Sequence, residues 1–157
     1  IYKKNREQTM PEGLNLPKFD VKVRNGENGP QIFDPLRGRW VALTPEEWVR
    51  QHFVNYLIAV KNYPQALMAN EVQLKFNGMS RRCDTVVYDQ SFHPLVVVEY
   101  KRATVPVTQR VFDQIARYNI TMGARWLIVS NGVHHYCCRI EAGSYSFVRD
   151  IPAWSEL

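Results

Sequence analysis

Apolar and polar positions first alternate from Phe19 to Arg24, with Phe19, Val21 and Val23 set against Asp20, Lys22 and Arg24. Period two predicts a strand. Asn25-Gly26 and Asn28-Gly29 mark a turn after it, and Gln31 to Phe33 and Trp40 to Leu43 supply further short strands. Residues 19–43 therefore read as a short β decoration. Residues 1–18 carry Lys3, Lys4, Arg6, Pro11 and Pro17 with little apolar periodicity, which predicts an extended, basic, loosely held arm.

The period changes at Thr44-Pro45-Glu46-Glu47. Thr44 suits an N-cap, Pro45 the first helical position and Glu47 the third position of a capping box. Trp48, Val49, His52, Phe53, Tyr56, Leu57 and Val60 recur at helical spacing, so the helix runs to about Lys61 and stops before Pro64. Projected at about 100° per residue, Glu46 falls at the margin of the apolar stripe and Glu47 nearly opposite it.

Residues 68–76 alternate again, with Glu71, Gln73 and Lys75 opposed to Val72, Leu74 and Phe76. Asn77-Gly78 is a hairpin turn. Two strands follow, Arg81 to Asp89 and Leu95 to Lys101, separated by a break at Gln90 to Pro94. The unbroken run Leu95 to Val98 predicts a central strand covered on both faces. A helix from Val105-Pro106 to about Met122 closes at Gly123. Strands at Arg125 to Ser130, Val133 to Ile140 and Tyr145 to Arg149 complete the domain, 44–157, with turns at Asn131-Gly132 and Ala142-Gly143. The order predicts a mixed α/β fold: a helix, a three-strand antiparallel meander, a right-handed crossover helix and further strands.

Hydrophobic residues at 45% make the chain globular. A net charge of +5 is a mild basic excess compatible with a polyanionic partner. Cys83, Cys137 and Cys138 have no metal-site spacing and are odd in number. That argues against a disulfide framework or structural zinc and for a reducing, cytoplasmic setting. No apolar run approaches the length of a membrane span. Beginning at Ile1, the chain reads as trimmed or as a fragment.

The chemistry concentrates at Asp84 and Glu99-Tyr100-Lys101. Glu99 and Lys101 extend an apolar run, a costly place for charge unless it is paired or ligated. A turn centred near residue 92 sets Asp84 opposite residue 99, 100 or 101. Pairing with Glu99 or with Lys101 puts all three on one face, with Cβ atoms roughly 5 Å apart across the strands. Two such carboxylates can share one Mg²⁺, which activates water and neutralises phosphate charge, with Lys101 beside them to orient water or stabilise developing charge. On the second helix Val107, Val111, Gln114, Tyr118 and Met122 form one stripe, so Gln114 is a polar residue in a core row. His134-His135-Tyr136-Cys137-Cys138 alternates faces and reads as a structural strand.

Asp84, Glu99-Tyr100-Lys101 and Gln114-x-x-x-Tyr118 resemble the PD-(D/E)xK nuclease superfamily. With Thr44 to Gln51, Arg82 to Tyr88, Val98 to Ala103 and Asp113 to Asn119, the likeness is to the N-terminal nuclease domain of type I restriction enzyme R subunits. It covers about Asp34 to Ile140. Cys83 stands where the motif's name has Pro. The resemblance implies a restriction-endonuclease-like core and a metal-dependent DNA endonuclease. Asp84 and Glu99 would be ligands of Mg²⁺, with Mn²⁺ able to substitute. Lys101 would be the catalytic lysine, and Gln114 and Tyr118 the auxiliary motif. A helix acid completes many such sites. Glu46 fits by its face and Glu71 is the second candidate. Arg81, Arg82, Arg102 and Arg117 are candidate phosphate contacts on double-stranded DNA. The sequence has no G-x-x-x-x-G-K-[ST] phosphate loop. The chain therefore reads as an isolated nuclease domain or a small relative, partnered by motor or methyltransferase subunits if it serves a restriction system. The alternative is a nucleic-acid-binding or interaction module that keeps the fold without cutting.

Overall fold

The computed structural model describes residues 13–157. A three-stranded antiparallel sheet comes first: β1 (Val23–Gly26), β2 (Gly29–Asp34) and β3 (Arg39–Ala42). Helix α1 (Pro45–Ala59) follows, then β4 (Met68–Phe76), β5 (Met79–Tyr88) and β6 (Pro94–Tyr100) as an antiparallel meander. Helix α2 (Gln109–Ile120) crosses over to β7 (Trp126–Ser130), which pairs parallel to β6. β8 (His135–Glu141) and β9 (Ser144–Val148) finish a six-stranded sheet in the order β4-β5-β6-β7-β8-β9. The mixed α/β class, the meander and the parallel crossover are those the sequence predicts. β6 is buried along Leu95–Tyr100, as its unbroken apolar run requires.

Each face of the large sheet carries one helix. Val49, Phe53, Val54 and Leu57 of α1 pack with Val87, Val96, Val98 and Ile128. Phe112, Ile115 and Ala116 of α2 pack with Val86, Val97, Leu127 and Val129. The side chain of Thr44 caps α1, accepting from Glu47 N at 3.1 Å. α2 starts at Gln109, later than the expected Val105-Pro106. The Thr108 hydroxyl accepts from Val111 N at 3.2 Å and so fixes the cap there. Asn131 Nδ2 donates to Val105 O at 2.9 Å, holding the preceding linker as a loop.

The expected arm falls outside the described residues up to residue 12. Beyond that point the chain is docked rather than loose. Leu14 and Leu16 pack on the α1 core, and Asn15 N donates to Gly132 O at 2.8 Å. Gly132 has φ +84°, and a Cβ there would sit 2.7 Å from the Leu14 side chain, so the docked segment demands glycine at this turn. Among the described residues no helix is long and apolar enough to cross a membrane.

A chain of buried polar groups ties the small sheet to the large one. Asp34 is fully buried and accepts from Leu36 N at 2.8 Å, from Asn70 Nδ2 at 2.9 Å and from the Arg37 guanidinium. Thr85 Oγ1 donates to Asn70 Oδ1 at 2.6 Å and accepts from Tyr100 OH at 3.0 Å. Asp34→Ala leaves Asn70 without its carboxylate acceptor and Arg37 with Glu47 alone. It should lower stability by roughly 3–5 kcal/mol, as when one partner of a buried ion pair is removed. In urea titration the midpoint should fall at unchanged slope; an unmoved midpoint would show that this linkage contributes nothing.

Candidate functional site

The β5–β6 ladder pairs Thr85 with Val98, Val86 with Val97 and Val87 with Val96. One step further, the same register sets Asp84 opposite Glu99. The ladder thus resolves the choice between Glu99 and Lys101 that the turn left open. On the other side β4 pairs Asn70 with Thr85 and Val72 with Cys83, so Glu71 lies level with Asp84. Glu71, Asp84 and Glu99 form one row across three strands.

The row sits where the sheet changes sides. In a regular strand, residues two apart share a face. Yet Met68 and Val87 belong to the α1 core, whereas Leu74 and Cys83 belong to the α2 core. Both strands slip phase at the row. In β4 the slip is made by Glu71 itself, whose φ of +56° is left-handed. Such a conformation is uncommon in a non-glycine residue and is held by its surroundings. Regular alternation across residues 68–76 therefore does not survive at Glu71.

Glu99 is 9% exposed. Burial pushes its carboxyl up to about 8, and the nearby Asp84 charge adds to the effect, against the pull of Arg81 and Lys101. A hydrogen bond to Asp84 that only the protonated acid can make favours the same form. Asp84 is itself fixed by the backbone, since Tyr100 N donates to its Oδ2 at 2.8 Å. The site thus presents a carboxylate fixed by the backbone beside a carboxyl that burial holds toward its protonated form. That donor chemistry suits a divalent cation that keeps several of its waters. Among the described residues no three His, Cys, Asp or Glu side chains converge as a ready metal cage.

Two arginines supply positive charge within the row. Arg81 Nη2 donates to Glu99 Oε1 at 2.9 Å, and its guanidinium lies 5.1 Å from the centre of the Tyr118 ring. Arg50 of α1 bonds Glu71, lies 3.1 Å from Glu47 Oε2 and 3.8 Å from Asp84 Oδ1. Arg50 was not among the residues singled out from sequence. The signal was present: a Glu47-Arg50 pair three apart, within a turn of the core residues Val49 and Phe53.

The helix acid that turns inward is Glu47, not Glu46. Glu46 is exposed; Glu47 is buried and bonded to Arg37. Its backbone N–H serves the cap while its side chain faces the network, so the two roles do not compete. Burial raises the Glu47 carboxyl, opposed by Arg50 and Arg37. Glu71, the other candidate, spends both carboxylate oxygens on arginines, Oε1 on Arg50 and Oε2 on Arg82.

Lys101 is half-buried directly beyond Tyr100, with its backbone N–H on Ser130 O at 2.9 Å, and its charge is felt at Glu99. Gln114 and Tyr118 are not core residues. The buried stripe of α2 is Phe112, Ile115, Ala116 and Asn119. Gln114 is exposed and lines a surface groove of about 430 Å³ with Arg110, Asp113 and Arg117. Tyr118 reaches the acids only through Arg81. Arg82, Arg102 and Arg117 are exposed. Cys137 and Cys138 point into opposite cores, as an alternating strand requires.

The model of the type I restriction enzyme R protein N terminus matches residues 45–152. A fragment provisionally described as an HsdR subunit of a type I restriction enzyme from Vibrio vulnificus is similar in structure. Its TM-score is 0.54 at 20% identity, over 74% of this chain and 25% of that one. The chain thus spans about a quarter of the length of that HsdR fragment. A protein from Anabaena variabilis, provisionally described as a nuclease, gives a TM-score of 0.47 at 14% identity, over 85% of this chain and 88% of that one. No curated protein matches.

The raised Glu99 carboxyl makes a pH prediction. The folded chain holds a proton that the unfolded chain, with Glu99 near 4.5, releases. This contribution is full below about pH 4.5 and is lost as pH rises through about 8. In chelator, the melting temperature of the wild type should therefore fall relative to Glu99→Gln between pH 6 and 9. A constant difference across that range would remove Glu99 as the titrating group.

Proposed function

Because the chain belongs to the family of type I restriction enzyme R protein N termini, we propose that it is a metal-dependent endonuclease domain acting on DNA phosphodiesters. The observation that carries this reading is the buried Glu99 carboxyl level with half-buried Asp84 across the β5–β6 ladder, with Lys101 two residues beyond Glu99, just past the end of β6. Asp84 and Glu99 would hold a Mg²⁺ ion, whose chemistry is to acidify a bound water and offset charge on the phosphate.

The chain's own residues prepare that site. The Tyr100 N–H fixes the Asp84 carboxylate, so one ligand is set by backbone rather than by a mobile side chain. Burial of Glu99 excludes bulk water from its carboxyl and strengthens its response to any nearby cation. Lys101 would orient water or stabilise negative charge developing on the scissile group. Arg81, which donates to Glu99 Oε1 at 2.9 Å, would be the group a bound cation displaces, and would then be available to phosphate. Arg82, Arg102 and Arg117 offer exposed charge to the backbone of double-stranded DNA. Gln114 and Tyr118 act from the outer flank of α2, Tyr118 through its stack with Arg81. We place the domain in a restriction system, alongside motor or methyltransferase subunits, in the reducing cytoplasm, where three free thiols persist.

Plasmid cleavage in Mg²⁺ should be reduced roughly 10²-fold or more by Asp84→Ala and by Lys101→Ala, the scale set by loss of one transition-state contact. Equal cleavage by all three proteins would sink the site. Salt-sensitive DNA binding that survives Asp84→Ala, with no cleavage by the wild type, would support the non-cutting module instead.

A further inference from the structure

We propose that Arg50 is a built-in cation that occupies one half of the acidic row and so limits the site to a single divalent ion, held at Asp84 and Glu99. This deepens the metal-binding reading above and rests on it. Four elements contribute acids to this row, Glu47 from α1, Glu71 from β4, Asp84 from β5 and Glu99 from β6, though among the described residues no three of them converge as a ready metal cage. Three of the four gather around Arg50, whose side chain is 8% exposed, and without its charge the Glu71–Asp84 half would be open to a second cation.

The position of Arg50 among three acids is what sets it apart from an ordinary ion pair. Its Nη2 serves Glu71 and its Nε lies 3.1 Å from Glu47 Oε2, while Nη1 has no hydrogen-bond partner among the described residues. A buried donor left unsatisfied is costly. Its retention fits a guanidinium kept for its charge and position as much as for the bonds it makes. Glu71 has no oxygen free of arginine, since Arg82 takes the second. Any divalent ion beside Glu71 would lie against the buried Arg50 charge and would have to displace it. Glu99 differs: Arg81 holds only one of its oxygens in a hydrogen bond, and Arg81 has solvent and the Tyr118 face to retreat to. Arg50 is thus a positioning residue, 3.8 Å from Asp84 Oδ1. It also resolves the question of Glu71, which is a counter-ion for Arg50 and not a metal ligand.

Manganese titration of the whole chain, read by calorimetry and by the electron spin resonance of free Mn²⁺, counts the ions. One ion is expected in the wild type. Glu71→Gln should also bind one, within about twofold of the wild-type dissociation constant. Arg50→Met should admit a second ion, and adding Glu71→Gln to it should remove that ion again. Arg50→Lys, which keeps the charge, should hold the count at one. Two ions in the wild type, or binding weakened about tenfold or more by Glu71→Gln, would overturn the inference alone and leave the metal reading standing. So would a single ion in folded Arg50→Met. If Arg50→Met does not fold, the Glu71→Gln affinity decides. No ion in the wild type would overturn the metal reading itself, and this inference with it.

Discussion

Carboxylates cannot be gathered in a sheet interior without cations delivered to them, and this requirement shapes the domain. Glu71, Asp84 and Glu99 are brought level by strand register. Arg50 and Arg81 make that arrangement tolerable. Arg50 must come from α1, so α1 must lie where its inward face reaches the strand ends. Its first turn is anchored by Glu47 on Arg37, and Arg37 by Asp34 of the small sheet. The β decoration is therefore more than an ornament on the nuclease-like core. It is the far end of a charge network that terminates at Asp84.

The same interior carries a second polar thread. Asp34, Asn70, Thr85 and Tyr100 are bonded in sequence on the α1 side of the sheet. Thr85 and Tyr100 are the neighbours of Asp84 and Glu99 in the chain. The backbone at the two acids is thus held from behind by side chains with little freedom. Satisfied buried networks of this kind specify one arrangement over its near alternatives, and a site that must hold two repelling acids in register needs that rigidity.

Much of this was legible in the sequence, for reasons that can be stated. Thr44-Pro45 marks a helix start by local chemistry, and the cap is made as read. The run Leu95 to Val98 announces a central strand because only a strand covered on both faces has no polar side. What misled was helical phase. The buried face of α1 includes Glu47, Arg50, Gln51 and His52. A stripe drawn through apolar residues alone therefore pointed to Glu46. On α2 the error came from the start. Val107 lies in the loop before Thr108, and counting it as helical rotated the stripe toward Gln114 and Tyr118. The left-handed turn at Glu71 left no trace, since glutamate has no special preference for φ above zero.

That turn has a bearing on how such domains diversify. Upstream of Glu71 and downstream of Asp84, the β4–β5 hairpin leans on the α1 layer, where the polar thread locks its register. Past the crossing it leans on α2, and its tip carries exposed Phe76 and Met79. The tip can therefore lengthen, shorten or change composition while the acids stay where they are. Arg81 and Arg82 tie the base of this overhang to Glu99 and Glu71, so only the tip beyond them is a separate module. A lineage can rework what that tip touches while the two arginines stay in place.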